Sequence, residues 1–207
     1  MNKLLRSFAT LLSGFCLVFS AGASAIVIDF DHDAGGAPLS APDTFAATTP
    51  LTNLYASLGV HFSGVAGNSG SILNAGSGFG VAPRSGPNFL AFNDISTGAG
   101  EAITLDIAAT EVSIWVAGGS SGSNVFTMEV FDAGNILLGS HTISAGSFAL
   151  LDVAANGITK AVITVRGDCC FVMDDLTIAQ QVPAPATPVL IVLGLVGLGL
   201  FRRRMAL

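Results

Sequence analysis

Short runs of alternating apolar residues recur through the middle of the chain and limit the folds available to it. In residues 102–107, Ile103, Leu105 and Ile107 alternate with polar or small residues, and residues 110–116 repeat the pattern. A period of two is typical of a strand that buries one face. The later runs recur about every 8 to 12 residues, which predicts an all-β sandwich or barrel.

Strands, turns and one long loop are predicted within residues 26–181. Hairpin turns are expected at 132–135 and 155–157, because Asn-Gly and Asp-Ala-Gly sequences there suit positive φ angles. Residues 64–86, rich in Gly, Ser and Asn, are expected to form a long loop or irregular edge. The only helix expected is a short turn near 52–58. The strands are predicted at 26–30, 59–63, 88–92, 102–107, 110–116, 125–131, 135–141, 147–153, 158–165 and 171–178.

The first 25 residues have the pattern of a secretory signal peptide. Lys3 and Arg6 precede an apolar run at 8–19, and the small residues Ala23 and Ala25 follow it at the spacing that signal peptidase recognises. We therefore expect signal peptidase to cleave after Ala25 and the domain at 26–181 to be exported.

The last 26 residues contain a prolyl spacer, an apolar segment and a basic cluster, in that order. Ten of the thirteen residues at 189–201 are Val, Leu, Ile or Phe, so this segment favours insertion into a bilayer. A helix over 188–207 would be about 30 Å long, which matches the hydrocarbon core. Arginines resist translocation, so the C-terminus should stay cytoplasmic and the domain should lie outside. The spacer consists of Val182, Pro183, Ala184 and Pro185, and the basic cluster of Arg202, Arg203 and Arg204.

This tail resembles the PEP-CTERM sorting signal of Gram-negative bacteria that make exopolysaccharide. In that family the tail holds an exported protein in the inner membrane until an exosortase, a membrane cysteine transpeptidase, cuts near the proline motif. The family's usual motif is Pro-Glu-Pro, whereas Ala184 stands in the middle here. The resemblance covers residues 182–207 and implies delivery to the cell surface or the exopolysaccharide matrix. The alternative is a plain membrane anchor that is never cut.

The exported domain is strongly acidic. All 14 acidic residues of the chain lie in 26–181 with only three basic ones, Arg84, Lys160 and Arg166, which leaves a formal charge of −11 against −6 for the whole chain. Such a field repels nucleic acid and anionic membrane surfaces, so neither is an expected partner.

Two stretches of the domain are similar to segments of exported jelly-roll domains. Residues 51–62 contain Asn-Leu-Tyr-Ala-Ser-Leu-Gly-Val-His-Phe after an opening Ile-Asp-Phe-Asp strand, and residues 171–178 contain Met-Asp-Asp-Leu. They look like parts of the galactose-binding-like β-sandwich, the fold of many carbohydrate-binding modules. The resemblance implies a jelly-roll-type antiparallel β-sandwich, and two such short motifs do not identify a ligand. Our leading hypothesis is a non-catalytic, carbohydrate-binding role, with exopolysaccharide as a candidate partner.

Acidic residues at the end of the first predicted strand suggest a metal site. Asp29, Asp31 and Asp33 alternate, which would place their side chains on one face, and clustered carboxylates suit a hard cation such as calcium. Asp174 or Asp175 on the last strand would complete a calcium site if the first and last strands are neighbours. The alternative is an exposed acidic strand end.

Trp115 is the aromatic residue that stands out on the strands. It is out of phase with Val112, Ile114 and Val116, so it should face away from the side that they bury. An aromatic ring on a sandwich face is a candidate glycan platform. The alternative is a ring that packs under a neighbouring loop or in the second core layer.

Catalytic patterns are weak, and we expect no enzyme. The Gly-x-Ser-x-Gly match at 118–122 is rejected, because a nucleophile elbow needs a helix after the Ser and a strand is predicted there. A competing hypothesis is a secreted polysaccharide-active hydrolase with an acid and a base drawn from the aspartates and glutamates. A structural adhesin without a small-molecule ligand is a third. The glutamates in question are Glu101, Glu111 and Glu129, and the scattered histidines are His32, His61 and His141.

The neighbouring cysteines Cys169 and Cys170 would meet an oxidising environment after export. Their Cα atoms lie about 3.8 Å apart, closer than an ordinary disulfide bond allows. A vicinal disulfide bond and a pair of free thiols both remain open from the sequence.

Overall fold

The structure, a computed structural model, describes residues 23–48, 51–65, 69–93, 99–119, 122–167 and 170–181. All of them belong to one compact unit, Ala23–Gln181. The prolyl spacer, the apolar tail, the arginine cluster and most of the predicted signal peptide lie outside the described residues. Within these six described ranges, no helix is long and apolar enough to cross a membrane.

The described chain is built from nine strands and three short 3-10 helices. Every strand pair is antiparallel, so the predicted all-β antiparallel fold is confirmed. The 3-10 helices are Phe45–Ala47, Ala56–Leu58 and Ala75–Ser77. The strands are β1 Ala23–Ile28, β2 Val60–Phe62, β3 Ser71–Asn74, β4 Asn88–Phe92, β5 Gly100–Ala117, β6 Asn124–Phe131, β7 Leu137–Ala145, β8 Ala149–Arg166 and β9 Phe171–Gln181.

Two long strands replace four predicted ones. β5 joins the strands predicted at 102–107 and 110–116, and β8 joins those predicted at 147–153 and 158–165; each has 18 residues. The two strands run side by side, and their pairing shifts register around Ala109, which lies opposite Ile158. This irregularity bends both strands together.

The two predicted turns had different outcomes. The turn at 132–135 is confirmed: it links β6 to β7, and Asn135 has a φ of 57°. The turn predicted at 155–157 is wrong, because these residues continue β8 through the bend. Gly157 has a φ of 87° there, so the backbone conformation expected of a turn instead serves a bulge.

The bend divides the sheet into two sections that face each other. The first section has the order β2-β5-β8-β6-β7, and the second has the order β3-β4-β9-β5-β8, with β1 added to β9. Phe126 of β6 and Phe171 of β9 have ring centroids 5.9 Å apart and belong to one buried cluster. The apolar faces of the two sections therefore form a common core, as in a sandwich.

The predicted signal-peptidase site falls in the first strand. Ala23 and Ala25 lie in β1, opposite Gln181 and Ala179 of β9. Cleavage after Ala25 would leave Ile26–Ile28 of this strand in place, still paired with β9.

The segment that carries the jelly-roll resemblance packs into the core. Tyr55 is 1% exposed, and its hydroxyl donates to the carbonyl oxygen of His32 at 3.0 Å. The Phe30 ring lies edge-on to Tyr55 and to Phe62, at 6.2 Å in each case. These rings fix the end of β1 against the rest of the domain.

A second, smaller apolar cluster lies on the outer face of the second section. It is formed by Leu73, Phe79, Phe89, Ala91, Ala117 and Val172. Leu73 pairs with Phe89, so β3 is a strand where the sequence predicted only a loop or an irregular edge. Residues 75–87, which we call the cover loop, run from β3 to β4 and bring Phe79 onto this face. Cys170, which is disulfide-bonded, packs beside the cluster, while Cys169 lies outside the described residues.

Candidate functional site

Trp115 lies on the outer face of the second section. Val112, Ile114 and Val116 are each 0% exposed in the core, and Trp115 is only partly buried on the opposite side of β5, as the alternation predicted. Its partners across the sheet are Leu150 of β8 and Asp174 of β9. Residues directly opposite each other in antiparallel strands share a face, so these side chains form one row.

Arg84 of the cover loop reaches over the Trp115 ring. Its guanidinium carbon is 3.9 Å from the ring centroid, which is a cation–π contact. The same guanidinium forms an ion pair, through Nη1, with Asp175 Oδ2. Trp115 therefore combines the two outcomes considered from the sequence: it lies on a sandwich face, and a neighbouring loop covers part of it.

Asp174 holds the cover loop in place. Its side chain is completely buried, and Oδ2 accepts a hydrogen bond from the backbone N–H of Arg84 at 2.8 Å. Burial raises the pKa of Asp174 to about 7. Ser85 adds a contact from its hydroxyl to Asp175 Oδ1 at 2.6 Å. The backbone of the loop is thus fixed by bonds that do not involve the Arg84 guanidinium.

The start of β4, directly after the cover loop, is bound to the segment that follows β1. Asp31 Oδ1 accepts from the backbone N–H of Asn88 at 2.9 Å, and the Asn88 amide donates to the carbonyl oxygens of Phe30 and Leu39, each at 3.2 Å. A Cβ at Gly86 would lie 1.9 Å from Asp31 Oδ2, and the φ of Gly86 is +47°. Only glycine fits at this position without a rearrangement.

The aspartates predicted to bind calcium are not assembled into a metal site. β1 and β9 are neighbours, as the calcium hypothesis required. Even so, no group of three or more His, Cys, Asp or Glu side chains in the described ranges is placed to hold a metal ion. Phe30 has a φ of 59°, which interrupts the alternation of Asp29, Asp31 and Asp33 just after the strand ends. Asp175 pairs with Arg84 instead.

Local backbone donors already engage the first and last of these three aspartates. Asp29 Oδ1 accepts from the N–H groups of Asp31 and His32 at 2.9 and 3.1 Å. Asp33 Oδ1 accepts from Gly35 and Ala37 at 2.8 and 2.9 Å. These carboxylates shape the turn after β1, which is a structural role.

The glutamates of the hydrolase hypothesis do not gather at Trp115. Glu101 is 0% exposed on the other half of β5, where it accepts from the N–H of Gly64 at 2.6 Å, the hydroxyl of Ser69 at 2.7 Å and the N–H of Gly70 at 3.0 Å. Burial raises its pKa. Glu111 is exposed on β5 and Glu129 is partly buried on β6.

Each of the three histidines contacts an aspartate at the surface. The distances are 2.9 Å for His32 with Asp29, 3.1 Å for His61 with Asp106 and 3.2 Å for His141 with Asp152. The side chains of all three pairs are at least about one-third exposed, so these are surface contacts rather than a buried acid–base system.

Sequence reasoning missed three features of the site: the position of Arg84, the burial of Asp174 and the place of Leu150 beside Trp115. Arg84 is one of only three basic residues in the domain, and this scarcity was the one available signal. Its partner Asp175 is 91 residues away in the sequence, so their pairing depends on the sheet topology.

No family model matches the chain, and no curated protein matches it. Among solved structures, the chain is similar to the CBM22-1 and GH10 modules of the Clostridium thermocellum endo-1,4-β-D-xylanase 10B, complexed with xylohexaose, with 16% identity and a TM-score of 0.36 over 48% of this chain and 23% of that one. The CBM22-1 xylan-binding domain of Paenibacillus barcinonensis Xyn10C gives 10% identity and a TM-score of 0.46 over 79% of this chain and 99% of that one.

TmCBM61 in complex with β-1,4-galactotriose gives 14% identity and a TM-score of 0.37, over 59% of this chain and 84% of that one. The chain spans less than a quarter of the two-module xylanase structure. At these TM-scores the similarities assign neither a fold family nor a ligand to this protein.

Proposed function

We propose that the domain is a non-catalytic, carbohydrate-binding β-sandwich of the jelly-roll type, and that a polysaccharide lies on the outer face of its second section. The observation that carries the proposal is Trp115, a partly exposed indole on a sheet face beside the exposed Leu150. A sugar ring has an apolar C–H face and a polar rim. An aromatic surface with polar side chains around it complements both.

The face around Trp115 is extended enough for a polymer. A second row crosses four strands and places Val27, Thr177, Ser113 and Asp152 on the same side as Trp115. Four adjacent strands span roughly 15 Å at the usual spacing of about 4.8 Å. Val27 is 60% exposed and the other three are partly buried, so the row offers both apolar and hydrogen-bonding groups.

The carboxylates nearest Trp115 favour binding over hydrolysis. Asp174 is buried and accepts backbone hydrogen bonds, and Asp175 is paired with Arg84. A glycosidase needs one carboxyl group to protonate the leaving oxygen and another to attack or activate water. Here both groups hold the cover loop, which supports a role for them in shaping a surface.

Replacing Trp115 with Ala tests this function. We expect polysaccharide binding to weaken about tenfold, because the loss of an aromatic stacking contact removes roughly 1 kcal/mol or slightly more. The full-length protein, purified in mild detergent, would be titrated with xylan and with β-1,4-galactan by calorimetry. Ile136→Ala is the matched control, since Ile136 is an exposed apolar residue on the β6–β7 turn. Equal binding by wild type and Trp115→Ala would contradict the proposal.

We propose in addition that the protein is exported, is held in the inner membrane by its tail and is cut by an exosortase before it reaches the cell surface or matrix. The order of prolyl spacer, apolar segment and arginine cluster in 182–207 supports this. Replacing Arg202, Arg203 and Arg204 with Ser should impair membrane retention and processing. Cell fractionation and the mass of the released protein would report both, and unchanged processing and release would refute the sorting proposal.

A further inference from the structure

We propose that the Arg84 side chain occupies the position of the ligand on Trp115. The ligand is an uncharged polysaccharide that displaces the guanidinium and donates a hydrogen bond from one of its hydroxyl groups to the Asp175 carboxylate. This inference rests on the proposed function of the same face. It adds that the polysaccharide is uncharged and that Arg84 competes with it for the Trp115 ring.

The guanidinium and a sugar would compete for the same surface. With its central carbon 3.9 Å from the ring centroid, the Arg84 guanidinium is in van der Waals contact with one face of the indole. A sugar ring that stacks on this face needs the same separation from it. Both cannot be present, so a ligand that uses this face has to replace Arg84.

The Arg84 side chain can leave without disturbing the loop. Asp174 holds the backbone N–H of Arg84, and the Asp31 bond to Asn88 holds the end of the cover loop. The Arg84 side chain is 38% exposed, whereas that of its partner Asp175 is 12% exposed, so solvent screens their ion pair only in part. A displacing ligand has to give the Asp175 carboxylate a new hydrogen-bond donor. Displacement therefore involves the rotation of one long side chain.

The group that Arg84 uncovers is a hydrogen-bond acceptor. Asp175 Oδ1 already accepts from the Ser85 hydroxyl at 2.6 Å, while Oδ2 is the atom that pairs with Arg84. When the guanidinium leaves, Oδ2 can accept a hydrogen bond from a hydroxyl group of the ligand. Hydrogen bonds to an ionised carboxylate are stronger than those between neutral groups. A sugar stacked on Trp115 presents hydroxyl groups at its rim.

The charges around this position disfavour an anionic ligand. Burial raises the pKa of Asp31 most, and the charges of Asp29 and Asp175 raise it further, so the carboxylates of Asp31 and Asp175 are close enough to interact. Once Arg84 has moved, uronate or sulfate groups would meet acidic side chains in a domain with a net charge of −11.

The experiment compares Arg84→Ala with wild type, using β-1,4-xylan as the uncharged probe and polygalacturonate as the anionic one. Removing a cation–π contact and a partly exposed ion pair should tighten xylan binding about fivefold. Arg166→Ala is the control, because Arg166 is an exposed arginine at the end of β8 and gives the same change in net charge. Adding Asp175→Asn to Arg84→Ala should weaken xylan binding relative to Arg84→Ala alone.

The remaining outcomes separate this inference from the proposed function. Weaker or unchanged xylan binding by Arg84→Ala, or binding of polygalacturonate by the wild type, would overturn the displacement model. If Trp115→Ala still reduced xylan binding in that case, the carbohydrate-binding function would stand. Xylan and galactan binding that does not depend on Trp115 would instead refute the function itself. Thermal unfolding of each variant verifies that the domain is folded.

Discussion

Replacing Glu101 with Ala is expected to lower the free energy of unfolding by about 3 to 5 kcal/mol. The carboxylate is completely buried and accepts hydrogen bonds from the N–H groups of Gly64 and Gly70 and from the Ser69 hydroxyl. Truncation leaves these donors without their acceptor, and two of them are themselves buried. Each unsatisfied buried group costs roughly 1 to 3 kcal/mol.

Urea denaturation of the full-length protein measures this loss, and two variants sharpen it. Glu101→Gln keeps one acceptor oxygen and should be less destabilising than Glu101→Ala. Glu111→Ala removes an exposed glutamate from the same strand and should change stability by less than about 0.5 kcal/mol. A Glu101→Ala protein as stable as Glu111→Ala would show that the carboxylate does not secure the backbone at Gly64 and Gly70.

The second large effect is a dependence of stability on pH that originates at Asp174. Burial raises the pKa of this group from the ordinary value of 3.8 to about 7 in the folded protein. The folded state therefore binds a proton more tightly than the unfolded state does. The stabilisation that comes from proton binding at Asp174 is complete below about pH 3.8 and is lost as the pH rises through 7. Unfolding should require more urea at pH 5 than at pH 8. The free energy of unfolding should differ between the two pH values by on the order of a few kcal/mol at most.

Asp174→Asn isolates this contribution, because asparagine keeps an oxygen that can accept from Arg84 but does not titrate. We expect the variant to lose most of the difference in stability between pH 5 and pH 8. Asp152→Asn, on the same sheet face, should keep it. If wild type and Asp174→Asn showed the same pH profile, Asp174 would not be protonated near neutral pH in the folded protein.

Local patterns in the sequence predict the strands and their faces well. The strand at 88–92 has the predicted bounds, and the phase of Trp115 against Val112 and Ile114 correctly placed its ring outside the core. These features depend on neighbours along one strand, where alternation and burial are directly linked.

The bend in β8 shows why other features could not be predicted. A hairpin turn and a bulge both need a residue with positive φ, and Gly157 satisfies either. The choice depends on whether β5 bends alongside, which is information from a strand some 50 residues earlier. The strand β3 was missed for the same reason, since Ser71–Asn74 is a strand because of its pairing with β4.

The site itself is a product of long-range packing. The carboxylates of Asp31 and Asp175 were predicted to meet at a cation, but the cover loop brings Arg84 to Asp175, and the start of β4 brings the backbone N–H of Asn88 to Asp31. The Arg84 guanidinium and a peptide N–H group therefore interact with the carboxylates that were expected to bind calcium. Composition alone cannot distinguish these solutions.

The pairing of β1 with β9 determines how the domain responds to force. Ala23 lies opposite Gln181, so the two ends of the compact unit emerge side by side. A force that separates the two ends would act first on the Ala23–Gln181 end of the β1–β9 pair and would break its hydrogen bonds one after another. β1 would peel away first, while β9 would remain anchored between β4 and β5. Loss of β1 would remove Val27 from the outer face but leave Trp115 on β5 paired with β8 and β9.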